Sequence, residues 1–376
     1  MIDIPEGAGR GLTFWSDWLQ RAADDQFWAD ITTSTRWAEI SVPAFNLGGW
    51  YDLYAAQAFR QFNGLRQHGR TPEARQSKLL VGPWPHHLGT DLSTSPRTGD
   101  IDFGSNAAIS MDRVERPWFD YWLKGMDNGI LSEARVKVFV MGANRWREAD
   151  EWPLPETDYT PFYFHSNGKA NSVFGDGTIS TNAPEREAPD QYLYDPEHPV
   201  MTLGGSTCCA EEFTPVSMGP RDQRPNEYRP DVLVYATPPL EREVEATGPV
   251  KVVLYAASSA RDTDFTAKLV DVYPNGYSMN VAQGILRARY RDSWEQPTLL
   301  EPGKVYEFTV DLWSTSNCFQ KGHRILVEIS SSNFPQFDRN PNTGNPLGQD
   351  ADLEKAHQTV YHDREHPSHI LLPIIP

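Results

Sequence analysis

The sequence changes its periodicity near residue 155, and that change limits the possible folds more than any other feature. Beyond "EWPLPETDYTP" (151–161) helical patterns nearly vanish, and short strand-like runs follow one another: "DVLVYA", "PVKVVLYAA", "FTAKLVDVY", "KVYEFTVDL", "HRILVEIS" and "HILLPI". In "KVYEFTVDL", Tyr306, Phe308, Val310 and Leu312 alternate with Glu307, Thr309 and Asp311. Successive side chains of a strand point to opposite faces, so this alternation predicts a sheet with one dry and one wet face. Many such strands in series predict an antiparallel sandwich, best matched by a jelly roll. The 30 prolines and 27 glycines, spread along the chain, suit the turns this requires.

Before residue 155 two periods alternate. "FWSDWLQRAADDQFWADI" (14–31) is amphipathic, with Trp15, Trp18, Leu19 and Trp28 at near-helical spacing. "ISVPAFNL" (40–47) predicts a buried strand, and 53–66 a helix with Leu53, Ala56, Phe59 and Phe62 on one face. "SKLLVGPW" (77–84) predicts another strand, 107–124 a helix despite Pro117, and "RVKVFVMG" (135–142) a third strand. Strands separated by helices argue for an α/β layer with parallel strands. A length of 376 residues allows two domains, and the expected division is 1–154 and 155–376. Hydrophobic residues make up 39% of the chain, enough for a sizeable core.

Charge excludes one class of partner. Lys and Arg total 34 against 51 Asp and Glu, a formal charge of −17, and no basic run interrupts it, so nucleic acid is not an expected ligand. No apolar stretch approaches the roughly 20 residues that span a bilayer. The first residues lack the basic and apolar regions of a signal peptide. Three cysteines (Cys208, Cys209 and Cys318) are too few for a disulfide framework, and the adjacent pair is expected to be two inert thiols. A cytoplasmic setting is therefore expected, with a signal on a longer precursor left open.

Chemistry enters at "NLGGWYDLYAAQAF" (46–59), where a lone acid, Asp52, stands at the end of a predicted strand. Open α/β sheets present ligand-facing groups at the C-terminal ends of their strands. Thirty-four residues later, "LLVGPWPHH" puts His86 just past the next strand. An acid and then a histidine, one βα unit apart, match the second half of the Ser…Asp…His order of α/β-hydrolases. A serine hydroxyl needs an imidazole to take its proton, and a carboxylate on the other ring nitrogen fixes the tautomer. A second reading stays open at this point, in which Asp52 caps the following helix and His86 is a loop residue.

These two stretches resemble the acid and histidine motifs of the CocE/NonD family of serine hydrolases, related to X-Pro dipeptidyl-peptidases and α-amino-acid ester hydrolases. The resemblance continues through "PWFDYWLKG", "VKVFVMGANRWREADEWPLP", "YDPEHPVMTLGG", "DTDFTAKLVDVYPNG", "SSSNFPQFDRNPNTG" and "EHPSHILLPI". It implies a partial α/β-hydrolase domain whose residues 1–40 are the remnant of a helical cap. A jelly-roll, galactose-binding-like domain would follow. It also implies Asp52 as triad acid and His86, not His87, as base, and a small ester or amide as substrate, with no cofactor or metal. Trp50, Tyr51 and Trp84 flank the pair; they are either walls of the substrate pocket or packing residues, and packing is the expected role.

The nucleophile is missing from the pattern. No serine sits in Gly-x-Ser-x-Gly; the nearest stretch, "GGSTC" (204–208), has Cys208 where the second glycine should be and follows both Asp52 and His86, so Ser206 reads as a turn residue. The family's first strands, nucleophile and oxyanion-hole donors would precede residue 1. A truncated coding sequence, an upstream polypeptide supplying the front half, or a remnant with another use would each produce such a chain. Exposed apolar surface or a homo-oligomeric contact would follow.

Other motifs are weaker. "HDREH" (362–366) matches a zinc-protease pattern but precedes Pro367 and a strand, whereas that motif works on a helix. "DRNPNTG" (338–344) has its glycine one position late for a calcium loop and reads as an Asx-type turn. "PEGAGRG" (5–11) and "LGG" (203–205) lack the Lys-Ser/Thr of a phosphate loop. Two function classes remain: part of a serine esterase or peptidase, or a catalytically silent binding or assembly module built on the jelly roll.

Overall fold

The computed structural model describes residues 18, 21, 23, 26–86, 97–208, 216–348 and 350–376. Expectations touching Trp15, Leu19, His87, Cys209 and the stretch 5–11 lie outside the described residues.

Helix α1 (Gln26–Ile31) and two 3-10 turns, Thr33–Thr35 and Trp37–Glu39, lead into strand β1 (Phe45–Tyr51). Helix α2 (Ala55–His68) then crosses to β2 (Lys78–Pro85), which is buried at all eight positions, as its apolar run requires. The buried stripe of α2 is Ala55, Phe59, Phe62 and Leu65, and Leu53 falls before the helix starts. Trp37 lies flat on this helix: a Cβ on Gly64 would come within 2.1 Å of its ring. Helix α3 (Met111–Lys124) carries Pro117, buries Trp118 and ends at Gly125 in the left-handed region. Strand β3 (Val136–Val140) pairs parallel with β2, and β4 (Arg145–Ala149) adds an antiparallel edge. The three strands read from the sequence are parallel as expected, and the antiparallel β4 makes the sheet a mixed one. Strand β4, "RWREA", escaped the sequence reading because none of its residues is fully buried.

The rest of the chain forms an eleven-stranded, sandwich-like sheet. Its strands are β5 (Asp158–His165), β6 (Thr178–Ser180), β7 (Asp190–Tyr194), β8 (Leu233–Ala236), β9 (Val244–Ser258), β10 (Asp264–Val272), β11 (Ser278–Arg287), β12 (Tyr306–Phe319), β13 (Arg324–Ser330), β14 (Ala356–Tyr361) and β15 (His369–Ile375). A short helix, α4 (Arg224–Glu227), precedes β8. The order is β11-β10-β13-β8-β6-β5-β15-β9-β14-β7, with β12 on β9. All six strand runs singled out in the sequence are present. In β12, Phe308, Val310 and Leu312 are buried while Glu307, Thr309 and Asp311 are exposed, matching the alternation.

The second half of β12 ties the two parts together. Met141 N–H donates to Ser316 O at 2.9 Å and Met141 O accepts from Cys318 N–H at 2.8 Å, so the end of β3 continues into β12. Gly142 permits this, since a Cβ there would lie 2.2 Å from Cys318 O. Glu245 of β9, almost fully buried, accepts ion pairs from Arg145 and Arg147 of β4, each at 2.8 Å. Tyr51 O–H reaches Asn280 O at 3.0 Å. One hydrophobic core runs through both parts, from Phe59 and Val138 to Phe308 and Ile370.

Three motifs are resolved here. His362 and His366 of "HDREH" point to different partners, His362 to Asp190 and Glu187 and His366 to Asp363. In "DRNPNTG" the Asn342 N–H donates to Asn340 Oδ1 at 2.9 Å, an Asx-type turn, and the Asn340 amide donates to Asp262 and Asp264. The expected inert thiol at Cys208 is corrected, because Cys208 is disulfide-bonded while Cys318 is a buried free thiol.

Candidate active site

Strands β1 and β2 run parallel in register from Phe45↔Lys78 to Gly49↔Gly82, then slip so that Tyr51 faces Pro85. The slip has a cause in the glycines. A Cβ on Gly49 would lie 2.1 Å from Trp84 O, and one on Gly82 would lie 2.4 Å from the Trp84 indole. With hydrogen in both places, β2 closes onto β1 and Trp84 folds back over its own strand. The two strand ends then stand side by side, with Asp52 one residue past β1 and His86 one residue past β2.

Asp52 Oδ2 lies 3.1 Å from His86 Nδ1, and Asp52 Oδ1 accepts the Tyr54 N–H at 2.6 Å. Each oxygen of Asp52 therefore has its own partner, His86 on one side and the Tyr54 N–H on the other. The helix-start reading needs one amendment: α2 begins at Ala55 and its N-cap position, Tyr54, makes no side-chain cap. Asp52 closes an Asx turn ahead of it, fixed further by Asp52 N–H to Gly49 O and Ala55 N–H to Asp52 O, both 3.0 Å. A carboxylate held at two points, on a backbone fixed at two more, has little rotational freedom left.

A carboxylate only accepts hydrogen bonds, so His86 Nδ1 carries the proton and the neutral ring keeps its lone pair on Nε2. That nitrogen makes no hydrogen bond among the described residues. The side chains are 25% exposed for His86 and 20% for Asp52, which leaves the pair reachable from solvent. The Tyr54 ring stands edge-on to the imidazole, centroids 5.4 Å apart at 77°. Sequence reasoning missed this contact, although its signal was present in the aromatic two residues past the acid.

The flanking aromatics are packing residues in this structure, not exposed pocket walls. Trp50 is buried and its indole N–H donates to Phe139 O at 2.7 Å. Trp84 is buried and donates to Ala107 O at 2.9 Å, and Tyr51 is buried with its hydroxyl on Asn280. Ser206 is also structural: it lies in the Gly204–Gly205 turn with Oγ directed to Trp50 O at 3.4 Å. A cleft of about 600 Å3 where α2 meets the large sheet is lined by Arg60, Ser206, Gln283, Trp313 and Phe337, and includes neither Asp52 nor His86. Among the described residues no cluster of three or more His, Cys, Asp or Glu could hold a metal. No helix among them is long and apolar enough to cross a membrane.

Residues 128–371 match the X-Pro dipeptidyl-peptidase C-terminal non-catalytic domain, and residues 5–88 match the X-Pro dipeptidyl-peptidase (S15 family) domain. Over 357 residues the chain is 41% identical to a cocaine esterase of Rhodococcus sp., covering 94% of this chain and 60% of that one. Among solved structures it resembles an aminopeptidase from a marine sediment archaeon, Thaumarchaeota archaeon (TM-score 0.83, 29% identity, 96% of this chain and 60% of that one). It resembles an α-amino acid ester hydrolase to nearly the same degree (TM-score 0.82, 29% identity, 96% and 61%). The chain thus spans about 60% of the length of these relatives. Its two domain matches, its fold and its long collinear similarity show that it belongs to the X-Pro dipeptidyl-peptidase and CocE/NonD family of serine hydrolases.

Proposed function

We propose that this chain supplies the acid and base of a serine hydrolase that cleaves a small ester or amide through an acyl-enzyme. Asp52 is the triad acid and His86 the base. The observation that carries the reading is the 3.1 Å contact of His86 Nδ1 with Asp52 Oδ2 at adjacent parallel strand ends, with Nε2 left open. In that arrangement Nε2 takes the proton of a serine hydroxyl as its oxygen attacks the acyl carbon. It then gives that proton to the leaving alcohol or amine. Water repeats the cycle on the acyl-enzyme, with the same imidazole as base. Asp52 holds the tautomer throughout and stabilises the imidazolium.

The serine is supplied from outside these 376 residues, by an upstream segment of a longer chain or by a second polypeptide, since none of the serines here lies in Gly-x-Ser-x-Gly. Residues 155–376 form a jelly-roll unit of the X-Pro dipeptidyl-peptidase C-terminal type, and residues 1–154 belong to the catalytic layer. The substrate is an ester or amide small enough for an acyl group to sit beside His86.

The test is complementation. The chain alone, treated with a fluorophosphonate, should remain unlabelled. Mixed with or fused to a family segment carrying the nucleophile elbow, it should gain p-nitrophenyl ester hydrolysis, and Asp52→Asn should lower kcat by about 10⁴. Full activity of Asp52→Asn in that assay would refute the assignment. Stoichiometric labelling of the chain alone would refute the external nucleophile.

A further inference from the structure

The outer face of β8, β13 and β10 breaks the alternation that governs the rest of the sheet. Inward-pointing Leu233, Tyr235, Ile325, Val327, Ile329 and Leu269 belong to the main core. The opposite face of an exposed sheet should be polar. Here it carries Val234, Ala236, Leu326, Val270 and Val272, a second apolar cluster with its own register: Val234 faces Glu328, while Leu326 lies between Ala236 and Val270.

One end of this apolar face is covered. Helix α4 packs there over the buried Lys268–Glu328 pair, with Lys268 Nζ donating to Gln223 Oε1 at 3.0 Å and Ser278 Oγ bonded to Glu227. The other end is open, and forms a cavity of about 760 Å3 over Val234, Ala236, Leu326 and Val272. This is within the usual size of small-molecule sites, roughly 300–1,000 Å3.

Two features of the rim are unusual for bare surface. Phe174 and Tyr228 stack at 5.5 Å and 9°, yet remain 81% and 53% exposed. Two large rings held parallel in water give up little surface to the protein, so the pair is preformed for a further apolar partner. Arg324, across the cavity, is exposed; its Nη1 donates to Thr237 O at 3.1 Å and it pairs with no carboxylate among the described residues. Arg224, the other cation in the lining, is committed to Asp222.

We propose that this cavity is a binding site for a small flat ring bearing a carboxylate, with the ring against Phe174 and Tyr228 and the carboxylate on Arg324. An aliphatic chain would fill the floor but waste the stacked rings, and a neutral ring would leave the Arg324 guanidinium unused. The chain's charge of −17 does not forbid an anion, because charges farther than about 8 Å are screened at physiological salt. Glu227 lines the same cavity; burial, then the neighbouring Glu328, raise its carboxyl to about 8, so at neutral pH it does not repel the ligand. Lys268, Asp222 and Arg224 are the other charged groups around it.

The experiment is a calorimetric titration of the 376-residue chain with 2-naphthoate at pH 7. Saturable one-to-one binding is expected. Arg324→Gln and Phe174→Ala, both exposed positions whose variants should keep the wild-type circular dichroism, should each weaken it about tenfold or more. The uncharged 2-naphthalenemethanol should bind at least about tenfold more weakly than the acid. No saturable binding at millimolar ligand, equal binding of acid and alcohol, or unchanged affinity in both variants would each overturn the proposal.

Discussion

His362 offers the sharpest physical test of how the large sheet is held. Its ring is fully buried, with Nε2 2.8 Å from Asp190 Oδ2 and Nδ1 3.2 Å from Glu187 Oε2. Carboxylates on both nitrogens require both to carry protons. Burial lowers the His362 pKa, but Asp190 and then Glu187 outweigh it, and the net direction is upward. Asp190 is shifted down: burial opposes this, yet His362, the Ala170 N–H, Ser166 and Tyr235 all donate to it. Removing one partner of a buried pair costs roughly 3–5 kcal/mol. His362→Gln should fall near the lower end, about 3 kcal/mol, because Asp190 keeps its three other donors and Glu187 keeps His165 Nδ1 at 2.7 Å. At roughly 2–4 °C per kcal/mol for a unit of this size, the melting temperature should drop by about 6–12 °C. The pH dependence follows from the signs. A raised histidine pKa contributes its full stabilisation below the unfolded value, about 6.5, and loses it as pH rises through the folded value. The depressed Asp190 contributes above its unfolded value, about 3.9, and loses its share as pH falls through the folded one. The difference between wild type and His362→Gln, measured by differential scanning fluorimetry, should therefore be flat from about pH 4 to 6.5 and shrink on the alkaline side. A difference below 2 °C, or one that does not change with pH, would refute a buried imidazolium.

Gly49→Ala should be among the most damaging single-methyl changes in the chain, since its Cβ would sit 2.1 Å from a backbone carbonyl that cannot rotate away. Loss of more than about 3 kcal/mol is expected; a variant with wild-type melting temperature would show that the β1–β2 slip does not depend on glycine. Tyr54→Ala removes the edge contact on His86 but keeps the backbone N–H on Asp52. Aromatic pairs are worth roughly 0.5–1.5 kcal/mol, so kcat of the complemented enzyme should fall up to about tenfold with little change in KM. Unaltered His86 ring resonances in NMR spectra of the variant chain would contradict a positioning role.

Much of the architecture was legible because it rests on local patterns. The apolar runs of β1 and β2 and the stripe on α2 define a βαβ unit, and consecutive strands are neighbours in most sheets, as β1 and β2 are here with Asp52 and His86 at their ends. The strands read in the large sheet were those whose apolar periodicity shows in sequence. Among those not read, β7, β11 and β14 carry polar residues at buried positions. Gln358 of β14 is fully buried because its amide reaches Thr263 Oγ1 at 2.8 Å, and Asp190 of β7 is buried because its donors come from residues 166, 170, 235 and 362. Such partners lie far away along the chain, and no window of sequence contains both.

The same division runs through the site. The sequence by itself determined that an acid and a histidine each follow a strand of one βαβ unit, since the strands, the helix between them and their spacing are legible in a short segment. Only the tertiary structure decided that Asp52 divides its two oxygens between Tyr54 N–H and His86, that Trp50, Tyr51 and Trp84 are consumed by packing, and that an apolar patch stays uncovered beside Arg324. Those outcomes depend on ångström-scale approach between segments, where one missing Cβ or one buried charge changes which atoms can touch.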